Sequence, residues 1–370
     1  MSFVMNDTNN QPNSVINIDG KRISLDDPVY FIAEIGSNFD QDLERAKDLI
    51  YLAREAGADA VKFQHYTAGS LVSDEGFKQL GGQQSHQSAW KKSVFDTYDD
   101  ASLNRDWTAA LKSACDEAGV SFFTSPYSFE LVDYVNEFVP AYKVGSGDIT
   151  WVEIIEHMAR KNKPVLLATG ASDLEDVKRA TDALLAINRD VVLLQCNTNY
   201  TADHENYSSL QLNVLREFSS MYPGILLGLS DHMPGHVAVL GAVALGARVI
   251  EKHFTDSTER EGPDHGFAMT PESWREMVDR TRELQLSLGN GVKRIEDNER
   301  DTVVLQRRCI RVSRDIEQGE VLSRDDLSML RPCPADGIPP HEVGNIIGKK
   351  LLRSIGSGSH VTRNDVGASE

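Results

Sequence analysis

The stretch "GLSDHMPGHVAVLGAVALGARVIEKHFTD" sets His232 and His253 at either end of an apolar, alanine- and glycine-rich segment. Two imidazoles with the remaining positions open suit a borderline divalent cation acting as a Lewis acid. Taken singly, each histidine also reads as a polar residue satisfied in a loop. The metal reading needs a fold that brings the two together. Lys62 in "AVKFQHY" and Lys143 in "AYKVGSG" pose a related question, because each interrupts an apolar run. An ammonium buried without an anion is costly. The anion is either a bound carboxylate or phosphate, or Glu34 and Asp148 in a structural network. Hydroxyls at Thr124, Ser125, Ser146, Thr169, Thr198 and Ser230 stand beside glycine-rich turns, where phosphate oxygens are readily held. Glu34 and Asp148 are also suited to proton transfer or to binding sugar hydroxyls. The set points to a small phosphorylated acid reacting beside a metal-polarised carbonyl.

The elements that must position these residues are visible as a rhythm. The runs "VYFIAEIG", "AVKFQHY", "SFFTSP", "AYKVGSG", "PVLLATG", "VVLLQCN", "ILLGLSDH" and "RVIEKHF" are short, apolar and end in polar residues. Such runs suit parallel strands buried on both faces. Between them lie segments with helical spacing. "DLERAKDLIYLAREAG" puts Leu43, Ala46, Leu49, Ile50 and Ala53 on one side and stops at Gly57. Strand and helix alternating in this way predict an α/β protein with a (β/α)8 TIM barrel. An open doubly wound sheet is the competing fold, but "IAEIGSNFDQDL" is not the glycine-rich nucleotide loop that fold more often carries. In a barrel, the polar strand ends share one mouth, where the active site belongs. His232 and His253, near the ends of the seventh and eighth strands, become neighbours there.

Composition narrows the function. The chain has 370 residues, 40% of them hydrophobic and 25% charged, as in an ordinary globular protein. A formal charge of −18 argues against general nucleic-acid binding, and an anionic substrate would need a local cluster of donors. Cys115, Cys196, Cys309 and Cys333 form no CxxC pair, which suggests reduced thiols. With no secretory leader in "MSFVMNDTNNQPNSV" and no apolar run long enough for a bilayer, the expected location is the cytoplasm.

Residues 1–27 read as a polar N-terminal arm and 28–288 as the barrel. The charged stretch 289–307 reads as a linker to a small β-rich domain at 308–370. That domain repeats one pattern, since "DIEQGEVLSRDDL" is echoed by "SIGSGSHVTRNDV". A core this small is marginal alone.

In order along the chain, "IAEIGSN", "EAGADAVKFQ", "FFTSPY", "AYKVGSGD", "LLATG", "GLSDH", "GAVALGARVIEKHFT" and "EGPDH" resemble the motifs of the sialic acid (nonulosonic acid) synthases. The resemblance covers about residues 28 to 366, and the tail resembles the family's antifreeze-like (SAF) domain. It implies condensation of phosphoenolpyruvate with an N-acetylated hexosamine such as N-acetylmannosamine, giving a nine-carbon 2-keto-3-deoxy acid and phosphate. It implies that His232 and His253 hold Mn²⁺, with Mg²⁺ or Co²⁺ as alternatives. Lys62, Ser125, Lys143, Ser146 and Ser230 would hold phosphoenolpyruvate, with Thr198 a further substrate contact. Gln64, Tyr200 and Asp264 would contact the sugar. Arg331 would reach the sugar's acyl group from the other subunit of a domain-swapped homodimer. Glu34 and Asp148 would handle protons, in an order left open.

The chain departs from the family at Phe39, where many relatives have His, and at Ala168, where Ser is common. Thr198 stands at a usual Asn and Thr201 at a usual Pro. These changes bear on the sugar rather than on the metal pair or the lysines. The acceptor stays open among N-acetylmannosamine, its 6-phosphate and a diacetamido sugar leading to legionaminic or pseudaminic acid. Two other functions compete: a different metal-dependent barrel aldolase, and a sugar-binding relative without turnover.

Overall fold

The alternation in "INIDGKRI" produces the first structure in the chain, a hairpin of β1 (Ile16–Ile18) and β2 (Lys21–Ile23). Asp19 and Gly20 turn it with φ of 53° and 79°, the left-handed backbone that a tight Asp-Gly hairpin turn requires. The computed structural model describes residues 11–80, 87–88 and 90–367. Within the stretch read as a polar arm, it therefore places buried isoleucines at 16, 18 and 23.

The eight apolar runs all form strands. They are β3 (Tyr30–Glu34), β4 (Ala60–His65), β5 (Ser121–Pro126), β6 (Tyr142–Val144), β7 (Val165–Ala168), β8 (Val191–Cys196), β9 (Leu226–Asp231) and β10 (Ala247–His253). Their hydrogen-bonded order is β5-β4-β3-β10-β9-β8-β7-β6, and every neighbouring pair in it is parallel. The two ends of that order, β5 and β6, lie against each other and bring the sheet round into a barrel. Helices follow the strands and cover the outside. The helix Leu43–Glu55 is capped by Asp42, whose side chain accepts from the Glu44 and Arg45 amides, and it buries Ala46, Leu49, Ile50 and Ala53. Three short helices (Ala68–Leu71, Asp74–Gln79 and Val94–Ala101) lie between β4 and the helix Thr108–Ala118.

Strand alternation splits the core into two layers. Phe31, Val61, Phe122, Leu167, Leu193 and Ile250 pack outward under the helices. Tyr30, Ile32, Phe123, Leu166, Val192, Leu194 and Val249 fill the barrel, joined by Ile16, Ile18 and Ile23 of the hairpin. The lower barrel is thus solid, and β1–β2 is part of its floor. That is why the isoleucines of this segment are buried.

The chain divides into two compact units, Met1–Gly289 and Asn290–Glu370. In the second, residues read as linker include a helix, Arg300–Gln306. β11 (Cys309–Val312) and β12 (Leu327–Leu330) pair antiparallel. The echoed motifs fold alike. Ser323 donates its backbone N–H and hydroxyl to Asp326 at 2.9 and 2.7 Å, and Thr362 does the same to Asp365, both at 2.8 Å. Arg314 pairs with Asp326 as Arg353 pairs with Asp365. Ile316 and Ile355 bridge the two copies, around a core that includes Ile310, Leu322, Leu351 and Val361. Among the described residues, no helix is long and apolar enough to cross a membrane.

Candidate active site

Above the apolar layer, the inward positions change character within one turn of the pleat. Glu34 closes β3, Lys62 and Gln64 lie on β4, Lys143 on β6, Ser230 on β9, and Glu251 and His253 on β10. Register brings them level, since β3 pairs Glu34 with both Lys62 and His253, and β9 pairs Ser230 with Glu251. Lys62 Nζ lies 2.6 Å from Glu34 Oε2, 4.0 Å from Glu251 Oε1 and 3.4 Å from Ser125 Oγ. Lys143 Nζ lies 3.5 Å from the same Glu251 oxygen and donates to the Val144 carbonyl at 3.2 Å. Ser230 donates to Glu251 at 3.1 Å, and Gln64 donates to Glu34 at 2.6 Å. All four charged groups are buried.

Burial and charge set their protonation. Burial works against charge on Glu251, but Lys143 and Lys62 outweigh it and hold its carboxyl below the usual range. Glu34, equally buried, is pushed up by desolvation despite the pull of Lys62. Burial raises Asp148 to about 6, against the attraction of Lys143. Lys62 stays charged because Glu251 and Glu34 overcome its own desolvation.

His232 follows β9 and His253 ends β10, with ring centroids 5.5 Å apart. Burial lowers both to about 4, so both are neutral imidazoles. His232 Nδ1 faces the Asn197 carbonyl at 2.9 Å, and a carbonyl can only accept. Nδ1 therefore carries the hydrogen, and Nε2 presents a lone pair. His253 Nδ1 is buried with no hydrogen-bond partner among the described residues. Two neutral, adjacent imidazoles with uncommitted nitrogen are a donor set that fits a borderline divalent ion. Among the described residues, no group of three or more His, Cys, Asp or Glu converges as ligands, so further positions would fall to water or substrate.

These residues line a cavity of about 450 Å³ whose upper wall is aromatic, with Tyr66, Trp90, Tyr98, Tyr127, Tyr200 and Phe267. The Tyr200 ring lies 4.3 Å from that of His232, and Phe267 lies 4.7 Å from His253. Asp264 is anchored by the Ser37 amide and hydroxyl at 3.0 and 2.8 Å. A side chain at Gly36 (φ +56°) would put Cβ 2.5 Å from Asp264 Oδ2 and 3.4 Å from His253 Cε1, so this close approach requires glycine.

The structure brings Glu34, Lys62, Gln64, Ser125, Lys143, Ser146, Asp148, Tyr200, Ser230, His232, His253 and Asp264 into one cavity. Other residues read as donors stand elsewhere. Thr124 alternates away from Ser125 and contacts His65 at 2.7 Å. Thr169 and Thr198 line a neighbouring depression at the ends of β7 and β8, which shares Cys196 with the cavity. Arg331 belongs to the second unit, where it is exposed and makes no hydrogen bond or ion pair among the described residues. Phe39 is a core residue packed on Phe63 and Trp107, so that departure from the family puts an aromatic ring under the helices. Sequence reasoning missed Glu251 and, apart from Tyr200, the aromatic wall. It offered Asp148 as a structural partner for the lysines, yet the carboxylate that pairs with Lys143 is Glu251.

Comparison with known proteins agrees with this architecture. The chain matches the NeuB family over residues 49–293 and the SAF domain over residues 307–367. It is 33% identical over 336 residues to the N,N'-diacetyllegionaminic acid synthase of Legionella pneumophila, covering 89% of this chain and 92% of that protein. It is 31% identical over 348 residues to a pseudaminic acid synthase of Campylobacter jejuni, covering 92% and 98%. The crystal structure of an N-acetylneuraminic acid (sialic acid) synthetase from Leptospira borgpetersenii, in complex with citrate, superimposes with a TM-score of 0.68. It is 25% identical, covering 79% of this chain and 96% of the other.

Proposed function

The chain belongs to the NeuB family, and from that premise we propose that it is a nonulosonic acid synthase. In this reading it joins phosphoenolpyruvate to the open-chain aldehyde of an N-acetylated amino sugar, forming a nine-carbon 2-keto-3-deoxy acid. The observation that carries the reading is the pair of buried lysines converging on Glu251 beneath two neutral histidines.

An ammonium has three donors. Lys143 gives one to the Val144 carbonyl and keeps capacity for a bound anion beside Glu251. Lys62, Lys143, Ser125, Ser146 and Ser230 hold the carboxylate and phosphate of phosphoenolpyruvate, with Thr198 one shell further out. Gln64, Tyr200 and Asp264 orient the acceptor against the aromatic wall. His232 and His253 would hold a divalent ion of the Mn²⁺ type, with Mg²⁺ or Co²⁺ as alternatives. Polarisation of the acceptor carbonyl is the chemistry that such an ion supplies when bound. The methylene carbon of phosphoenolpyruvate adds to that carbonyl, water adds at carbon two, and phosphate leaves by C–O cleavage. Asp148, raised to about 6 by burial, is ionised at neutral pH and accepts the proton of the water. Glu34, held up by burial beside Lys62, is placed to manage the proton of the new hydroxyl.

The assembly in this reading is a cytoplasmic homodimer in which the partner's Arg331 completes the acceptor site. Exposure of Arg331 and its lack of a partner among the described residues support that role. Mixing inactive His232→Ala and Arg331→Ala proteins under subunit exchange should restore activity, and failure with proven exchange would put each site within one chain. The function itself is tested with phosphoenolpyruvate labelled with ¹⁸O in the bridging position and a panel of amino sugars. Phosphate carrying the label should appear only when both substrates are present, with a product of the summed carbon skeleton. Phosphate release without an acceptor, or label retained in the organic product, would overturn it.

A further inference from the structure

The β9–β10 ladder slips by one residue between Ala247 and Val249. Ala247, below the slip, packs in the outer layer, while Val249, above it, packs inside the barrel. A one-residue change of register reverses which side chains face in. The inward aim of Glu251 and His253 therefore depends on how the rungs above the slip are held. The last rung pairs Lys252 with Asp231. Their side chains form an ion pair of 2.5 Å, with exposures of 1% and 0%. Lys252 Nζ also donates to the Met233 carbonyl at 2.6 Å, and the Met233 amide donates to Asp231 Oδ1 at 3.1 Å. A cation from the residue before His253 thus grips the residues on either side of His232, the Asp231 carboxylate and the Met233 carbonyl.

A pair this dry is a poor way to gain stability. Apolar residues of similar volume are commonly as good or better, whereas removing one partner strands a charge. Neither residue lines the cavity. We propose that Lys252 and Asp231 are positioning residues that hold His232 and His253 at the spacing of one shared metal ion, an inference that rests on the metal reading given above.

The test measures Mn²⁺ affinity of the metal-stripped full chain by titration calorimetry, with Tm recorded beside it. Asp231→Asn and Lys252→Met should each lose about 10- to 100-fold in affinity, the usual effect of removing support behind a ligand, and each should lower Tm. The double variant Asp231→Leu/Lys252→Met should regain the wild-type Tm while its affinity stays at least about tenfold down. Affinity recovering together with Tm would make the pair merely structural and overturn the inference. Wild-type affinity in the single variants would do the same, as would failure of the double variant to fold at 25 °C. His232→Ala serves as the reference. If it binds Mn²⁺ as tightly as the wild type, or the wild type binds none, the metal reading fails first and takes this inference with it.

Discussion

Along β3 the inward side chains run Tyr30, Ile32, Glu34, and along β10 they run Val249, Glu251, His253. The lower end of each strand belongs to a solid apolar plug, and the upper end to a cavity lined with charge. The same backbone and the same alternation carry both, and the change occurs within one pair of residues. The floor gains from burial at roughly 25 cal/mol per Å² of apolar surface. The mouth instead buries two lysines and two glutamates, where attraction outweighs desolvation at Lys62 and Glu251 and burial prevails at Glu34. One end of the barrel is held by apolar burial and the other by paired charge.

The sharpest way to break this contrast is at the mouth. His232→Ala or His253→Ala should lower turnover by about a thousandfold or more, as expected when a Lewis acid worth several kcal/mol is lost. Tm should stay level or rise. Chelation should mimic the loss, and Mn²⁺ should reverse it in the wild type. Steady-state rates beside a thermal melt check both halves, and a large fall in Tm would erase the distinction.

At the floor the opposite pattern is expected. Ile18 is fully buried against the barrel interior. Ile18→Ala should cost about 2–5 kcal/mol of unfolding free energy in urea, with kcat of the folded enzyme changed less than about twofold. A smaller effect comes from Lys143→Met, which should raise the KM for phosphoenolpyruvate about tenfold or more, since hydrogen bonds to charged groups contribute roughly 1.5–3 kcal/mol. Unchanged phosphoenolpyruvate kinetics would move the anion site elsewhere. The mildest test is pH. The Asp148 carboxyl, raised to about 6, is protonated below that value and ionised above it. As a base it loses function as pH falls, so kcat should drop through a midpoint near pH 6. Asp148→Asn should be slower throughout and lack that limb.

Much of this was legible in the sequence because strands buried on both faces leave unbroken apolar runs. The eight runs all formed strands, and the polar residues at their ends mark the mouth. What escaped notice depends on facing. Glu251 and Lys252 are adjacent charges that read alike, yet one enters the cavity and the other pairs with Asp231 outside it. Counting back two from His253 would have singled out Glu251. Thr124 and Ser125 show the same split, with Ser125 in the cavity and Thr124 bonded to His65. The Asp-Gly turn between alternating isoleucines in "INIDGKRI" was a usable hairpin signal for the floor. The aromatic wall was harder to read, since Tyr66 and Phe267 come from separate loops and Tyr98 from a short helix, with no shared period.

The hairpin of β1 and β2 turns this barrel into a vessel closed below, and closure governs traffic. In the proposed reaction a small anion gripped by Lys62 and Lys143 would lie beneath a sugar resting on the aromatic wall. The lower guest must board first, and the upper one bars its way out. In kinetic terms the proposed reaction is compulsory-ordered, with phosphoenolpyruvate committed once the sugar arrives. An unreactive sugar analogue then acts as an uncompetitive inhibitor toward phosphoenolpyruvate, tightening the very ligand it prevents from reacting.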